Sequence, residues 1–113
     1  MEKDCIFCRI INKEIPAQIV FETQDLVAFK DINPKAKIHI LIVPKEHILN
    51  VEEIGLEEKE LLCKMIFAAK EIAKNYEESR SGYKLIFNVK ESGGQIVPHI
   101  HMHLLAGENI QLP

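Results

Sequence analysis

The sequence predicts an α+β domain, and three observations carry that prediction. Five short runs rich in β-branched and aromatic residues punctuate its 113 residues. One stretch, Leu56 to about Ser79, instead repeats its apolar residues every three to four positions, as a single long helix does. The last β-rich run, His99-Ile100-His101-Met102-His103-Leu104-Leu105, alternates imidazoles with large apolar residues. In an extended strand this sends His99, His101 and His103 to one face and Ile100, Met102 and Leu104 to the other. The apolar row anchors the strand while the imidazoles share one site.

Composition narrows the classes of function. A chain of this length is expected to form one domain, residues 1–113, and to bury about two-thirds of its unfolded surface. It is 47% hydrophobic and 27% charged with a net charge of −3. That balance gives no electrostatic footprint for nucleic acid. The longest apolar run, Ile38 to Val43, is interrupted by His39 and is too short to span a bilayer, so no membrane role is expected. Met1-Glu2-Lys3-Asp4 has no signal-peptide pattern, and three cysteines do not make a disulfide framework. The expected location is the cytoplasm.

In chain order, Ile6 to Ile11 forms a short helix ended by Asn12. It follows Cys5-Ile6-Phe7-Cys8, whose C-x-x-C spacing fits half a zinc site, a redox pair, or two small hydrophobes on one turn. Ile19–Thr23 and Leu26–Lys30 read as strands joined by a tight turn at Gln24-Asp25. Asp31-Ile32-Asn33-Pro34 is a turn, where Asp31 either serves its own backbone or accepts from sugar hydroxyls. Ile38 to Val43 is the central strand, with His39 near its start and His47 on the turn beyond Pro44. Along the helix, Leu61, Leu62, Met65, Ile66, Ala69, Ile72, Ala73 and Tyr76 make one stripe for core or subunit interface, and Cys63 is expected to be buried. Ser81-Gly82 stops it. Tyr83 to Val89 is a strand that pairs antiparallel with the histidine strand, bringing Asn88 near the imidazoles. Gly93-Gly94-Gln95 between them allows close backbone approach to a ligand, Pro98 suits the start of a strand, and Ala106 to Pro113 is an aperiodic tail.

Imidazole serves nucleophilic and proton-transfer chemistry near neutral pH. His101, in the middle of the row, is best placed to attack. Phosphorus is the electrophile that profits from clustered amide and imidazole donors, here Asn88, Gly93, Gly94 and Gln95. There is no Gly-x-x-x-x-Gly-Lys loop, which disfavours kinase or ATPase chemistry.

The run His99 to Leu105 resembles the signature of the histidine-triad (HIT) superfamily, and the chain looks like its Hint-type, nucleoside phosphoramidase-like branch. The resemblance extends over Ile6-Phe7 to Pro16, Ala28 to Pro34, Ile38 to Pro44 with Lys45 and His47, and Asn88 to Leu105. It implies a five-stranded antiparallel sheet with helices on one side, paired into a homodimer. By the same resemblance, His101 is the nucleophile, His103 holds the phosphate with Asn88, Gln95 and the Gly94 amide, and His39 supports the row. Asp31 takes the ribose hydroxyls, and Phe7, Phe29 and Ile32 line a purine pocket. The substrate implied is a purine nucleoside monophosphate or its phosphoramidate. Many bacterial relatives also hold a structural zinc, which here implies Cys5, Cys8, His47 and His99 as ligands. Two features depart from the pattern: Ile96 stands where many relatives have serine, and no Trp-containing tail follows.

Other readings compete. Fhit-type hydrolysis of dinucleoside polyphosphates differs only in substrate length. A nucleotide-binding regulatory module without catalysis would fit the departure at Ile96. An open metal centre in a double-stranded β-helix conflicts with the long helix. Apart from the resemblance, the stripe Leu61 to Tyr76 is too apolar for one small sheet to cover, and unprotected strand edges call for pairing, so a dimer is expected.

Overall fold

Cys5 opens the first helix, α1 (Ile6–Ile11), by accepting the Cys8 amide on its own sulfur at 3.4 Å. The computed structural model describes residues 4–107 and residue 110. After α1 come β1 (Ile19–Glu22), β2 (Leu26–Lys30), β3 (Ile38–Pro44), α2 (Lys59–Ala73), β4 (Tyr83–Phe87) and β5 (Met102–Ala106). All five expected strands form one antiparallel sheet in the order β1-β2-β3-β5-β4. Ala106 therefore closes a strand, and the rest of the expected tail, apart from Gly107 and Ile110, lies outside the described residues.

The alternation of the strands divides the core in two. Leu26 and Ala28 of β2, Ile40 and Ile42 of β3, and Met102 and Leu104 of β5 pack with Met65, Ala68, Ala69, Ile72 and Ala73 of α2. Val27, Phe29, Leu41 and Val43 point the other way and pack with Cys5, Phe7, Cys8 and Ile10 around α1. The two helices thus cover opposite faces, which corrects the expectation of helices on one side. Met65 and Ile72 are essentially fully buried, each contributing about 1.5–3 kcal/mol through removal of apolar surface from water.

The α2 helix is shorter than the expected Leu56–Ser79. A 3-10 turn over Leu56–Glu58 precedes it, with the Gly55 amide donating to Glu58 Oε1 at 3.0 Å. Beyond Ala73 the chain leaves the helix, and the Ser79 hydroxyl shares its proton between the carbonyls of Ala73 and Tyr76. Cys63 is exposed rather than buried. It lies two residues from Met65, about 200° around the helix, and so faces away from the sheet. Ile66 is also exposed, as is Phe67 beside it. The stripe actually buried is 65-68-69-72-73, with Leu61, Leu62 and Tyr76 packed at its margins.

Two strand ends also moved. β1 stops at Glu22 because Thr23 turns the chain, its hydroxyl oxygen accepting the amides of Asp25 (3.2 Å) and Leu26 (3.0 Å). β4 stops at Phe87, short of the expected Val89. The turn that follows places Lys90 at φ +64°, ψ 176°, a region suited to glycine. No helix among the described residues is long and apolar enough to cross a membrane.

Candidate active site

The site lies on the α1 face of the sheet, where register brings two of its histidines together. Leu41 pairs with His103 and His39 with Leu105, so the two imidazoles are diagonal neighbours on one face of β3 and β5. Their rings approach to 5.1 Å between centroids, and His39 Nε2 lies 2.9 Å from His103 Nδ1. His101 stands 5.0 Å from His103 on its other side, with the edge of Phe7 against it at 5.0 Å.

The expected strand of three aligned histidines is shorter than the alternation implied. β5 begins at Met102, and the stretch before it is held differently: His99 N–H bonds to the Val97 carbonyl (2.8 Å) and Ile100 N–H to that of Ile48 (2.6 Å). Pro98 thus sits in a bend ahead of the strand rather than at its first position. His99 is fully buried and turns its ring toward the cysteines instead of toward His101.

Hydrogen bonding fixes the protons of the neutral rings. A backbone carbonyl can only accept, so the 2.8 Å contact from His101 Nδ1 to the His99 carbonyl puts a proton on Nδ1 and leaves the Nε2 lone pair. The Lys35 amide donates to His39 Nδ1 at 3.0 Å, so His39 carries its proton on Nε2. That proton points at His103 Nδ1, which leaves His103 with its own proton on Nε2. Asp31 stands beside this pair: Oδ1 accepts the Asn33 amide at 2.8 Å, and Oδ2 lies 3.4 Å from His39 Nε2, the same nitrogen that faces His103. Burial lowers the pKa of His39 and of His101, the Asp31 charge partly opposing it in both. His103 is pushed down to about 4 by burial, then by His101, His39 and Lys35. The rings are therefore neutral at pH 7, with lone pairs available.

The turn after β4 is braced from within. Asn88 Nδ2 donates to the Gly93 carbonyl at 2.9 Å. Gln95 spends both amide protons on the carbonyls of Leu49 (2.7 Å) and Val97 (2.9 Å), while its oxygen accepts the Lys90 amide (2.8 Å). The Gly94 amide donates to the Glu91 carbonyl at 2.9 Å. The donors that sequence reasoning assigned to a phosphate at Gln95 and Gly94 thus hold the turn together. Gly94 has φ +88° and needs to be glycine for that reason. Phe7 and Phe29 are buried edge to face, 5.5 Å between centroids, whereas Ile32 is 87% exposed and Ile96 91% exposed.

Two groups of metal-ligating side chains converge among the described residues. In the first, Cys5 Sγ is 3.3 Å from His99 Nδ1, and Cys8 Sγ is 3.3 Å from His47 Nδ1 and 3.6 Å from His99 Nδ1. The Nε2 proton of His99 is held by the Pro44 carbonyl at 2.8 Å, so its Nδ1 lone pair faces the sulfurs. An outer partner of this kind commonly orients a ligating imidazole. Burial pushes the Cys5 thiol up and His99 down to about 4. A cation at the centre would supply the charge that a pair of thiolates lacks there. This donor set can hold a metal ion. The second group, Asp31, His39 and His103, fits one poorly: with the Lys35 amide on Nδ1, His39 keeps a proton on the very nitrogen an ion would need.

Sequence reasoning missed the Lys35 amide and the Pro44 carbonyl, which set the tautomers of His39 and His99. Backbone groups carry no side-chain signature. It also missed Lys90, whose strained backbone accepts the amides of Gly93 and Gln95.

A five-stranded antiparallel sheet with an imidazole pair spanning its central strands, beside a third imidazole whose Nε2 has no partner among the described residues, defines a histidine-triad site. The HIT domain profile matches residues 12–110, and the chain belongs to that family. It is 44% identical over 107 residues to the purine nucleoside phosphoramidase of Escherichia coli (strain K12), covering 95% of this chain and 90% of that protein. Among solved structures, a HIT family hydrolase from Legionella pneumophila Philadelphia 1 superposes with a TM-score of 0.92 at 44% identity, covering 97% of this chain and 98% of that one. A histidine triad protein from Clostridium difficile gives 0.95 at 38% identity, covering 100% and 98%.

Proposed function

We propose that the protein is a nucleotide hydrolase or transferase that cleaves purine nucleoside phosphoramidates, or related nucleoside monophosphate derivatives, through a nucleotidyl-histidine at His101. The observation that carries this is the bond from His101 Nδ1 to the His99 carbonyl, which leaves Nε2 as an aimed lone pair. In the first step the Nε2 lone pair bonds to phosphorus and the P–N bond breaks. Its electrons leave with the amine, which takes up a proton. In the second step water attacks phosphorus, releases His101 and yields the nucleoside monophosphate. His103 offers its Nε2 proton to the phosphoryl oxygens as their charge grows, and His39 orients it. Asn88, Gly94 and Gln95 shape the turn that approaches the phosphate. Asp31 takes the ribose hydroxyls, and Phe7, Phe29 and Ile32 line the purine site.

The remaining parts of the reading concern the metal and the assembly. The Cys5, Cys8, His47 and His99 cluster would hold zinc: bonds of about 2.3 Å to sulfur and about 2.0 Å to nitrogen give tetrahedral S···N edges of about 3.5 Å, close to the spacings already present. Four ligands leave no open position, so the metal would tie α1 to the segment before β5 and supply structure rather than reactivity. The chain acts as a single HIT domain, residues 1–113, within a cytoplasmic homodimer.

The test is incubation with adenosine 5'-phosphoramidate, following release of AMP. His101→Ala is expected to abolish turnover while nucleotide binding stays within about tenfold, since the ring acts mainly in the transition state. A nucleotidyl adduct should be trapped by mass spectrometry after a quench that avoids acid. Turnover of dinucleoside polyphosphates alone would move the assignment to the Fhit-type activity, and nucleotide binding with no turnover of either would leave a regulatory module. Wild-type kcat in His101→Ala would overturn the nucleophile.

A further inference from the structure

Phe7 enters the proposed function as a wall of the purine site, yet it offers a base little surface. It is 5% exposed, whereas Ile32 is 87% exposed. Other rings enclose it instead: Phe29 at 5.5 Å, His99 at 5.8 Å and His101 at 5.0 Å between centroids. The planes of Phe7 and His101 stand at 84°, a perpendicular contact that aromatic rings prefer. Cys5 caps the helical turn that carries Phe7, so the backbone beneath the ring is fixed as well. Among the described residues, the His101 imidazole has one hydrogen-bond partner, the His99 carbonyl on Nδ1. One such bond anchors a point on the ring. It leaves the plane free to swing about that point, and with it the direction of the Nε2 lone pair.

We propose that Phe7 is a positioning residue for the reaction: packed across the plane of the His101 imidazole, it holds the ring so that Nε2 faces the phosphorus. This rests on the phosphoramidase reading and deepens it, giving the phenyl ring a part in group transfer that does not pass through the base. A reacting group has to be held within about 10–20° of its productive direction. A misplacement of about 1 Å costs on the order of a hundredfold in rate. His103 also packs on His101, at 5.0 Å and 64°, but its ring is committed to His39 at 2.9 Å and to the phosphoryl oxygens. Phe7 has no polar duty. Packing alone sets its ring, and that ring stays in place through both steps.

Inorganic phosphoramidate separates this role from base binding, because it carries neither base nor sugar. His101 Nε2 bonds to its phosphorus as the P–N bond breaks, and the nitrogen leaves with the bonding pair as ammonia. Phe7→Leu should slow formation of that phosphohistidine by about tenfold or more. With adenosine 5'-phosphoramidate the same variant should lose kcat by a similar factor, with little change in KM. Val27→Ala loosens the same apolar cluster from β2, two strands away from β5, and should leave both rates near wild type. An unchanged rate with inorganic phosphoramidate, or a loss confined to KM, would show that Phe7 serves the base alone. An equal loss in Val27→Ala would reduce Phe7 to general packing. Proton exchange decides the matter without turnover. Followed by nitrogen-resolved NMR, the His101 Nδ1 proton should exchange with water about tenfold faster in Phe7→Leu than in wild type or Val27→Ala. Equal exchange in all three would overturn the clamp. Should Phe7→Leu fail to fold, Phe7→Met, which is flexible and not planar, should show the same losses. A wild type that transfers from neither substrate refutes the functional reading instead, and proton exchange still decides the clamp.

Discussion

Lowering the pH from 7 to 5 should destabilise the metal-free protein severely, because the buried His99 and the partly buried His103 resist protonation. His99 and His103 are each pushed down to about 4, in both cases by burial first. In the unfolded chain each titrates near about 6.5. A depressed histidine binds its proton more readily when unfolded, so stability is fully present above the unfolded pKa. It is lost as pH falls from about 6.5 toward about 4, where the loss levels off. Integrated over that window, His99 removes about 2 kcal/mol between pH 7 and pH 5; solvent screening reduces the share of the partly exposed His103 to about 1 kcal/mol, so the pair removes about 3 kcal/mol. His39 and His101 are shifted in the same direction and add to the loss. Against a total stability of about 5–15 kcal/mol this is a large share. With a urea m-value of about 1.5–2 kcal/mol per molar, the unfolding midpoint should drop by about 2 M. Urea titrations of chelator-treated protein by circular dichroism measure it, and His103→Gln should reduce the pH slope. A midpoint that does not move between pH 7 and pH 5 would refute the assignment of these rings as held neutral by their surroundings.

Three further outcomes are expected. Untagged protein should contain about one zinc per chain, lost in Cys5→Ser together with thermal stability but without loss of the His101 adduct; a sub-stoichiometric zinc content indifferent to Cys5→Ser would remove the metal site and leave the catalytic argument standing. Lys90→Gly should raise the melting temperature above that of Lys90→Ala, because both lose the exposed ion pair with Glu52 and only glycine relieves the backbone at φ +64°; equal melting temperatures would mean no strain is stored there. Light scattering at micromolar concentration should give a dimer, since β4 is a sheet edge with Tyr83 and Leu85 exposed along it; a monomer mass would sink that expectation.

The sequence by itself determined the strands, the two helices and the histidine-triad family. The elements follow from local signals: a nearly continuous β-rich run across Ile38 to Val43, alternation across His99 to Leu105, and a three-to-four repeat around Met65 to Ala73. The Cys5, Cys8, His47 and His99 set was implied by the family resemblance, since the C-x-x-C pair alone fits half a zinc site, a redox pair or two small hydrophobes; the tertiary structure brings the four together. What periodicity could not carry was the partner of each group. Alternation predicted three aligned histidines, but the pairing of Ile100 with Ile48 ends the β-ladder early and sends His99 to the cysteines. Its place within the helix stripe suggested a buried Cys63, but it lies about 200° around α2 from Met65 and faces away from the sheet. Sequence reads Gln95 as a phosphate donor; that the carbonyls of Leu49 and Val97 accept its amide protons in the folded chain shows only in the tertiary structure. Only the tertiary structure set the tautomers of His39, His101 and His103. The groups that fix them, the amide of Lys35 and the carbonyl of His99, belong to every residue alike, and distance alone selects which of them acts.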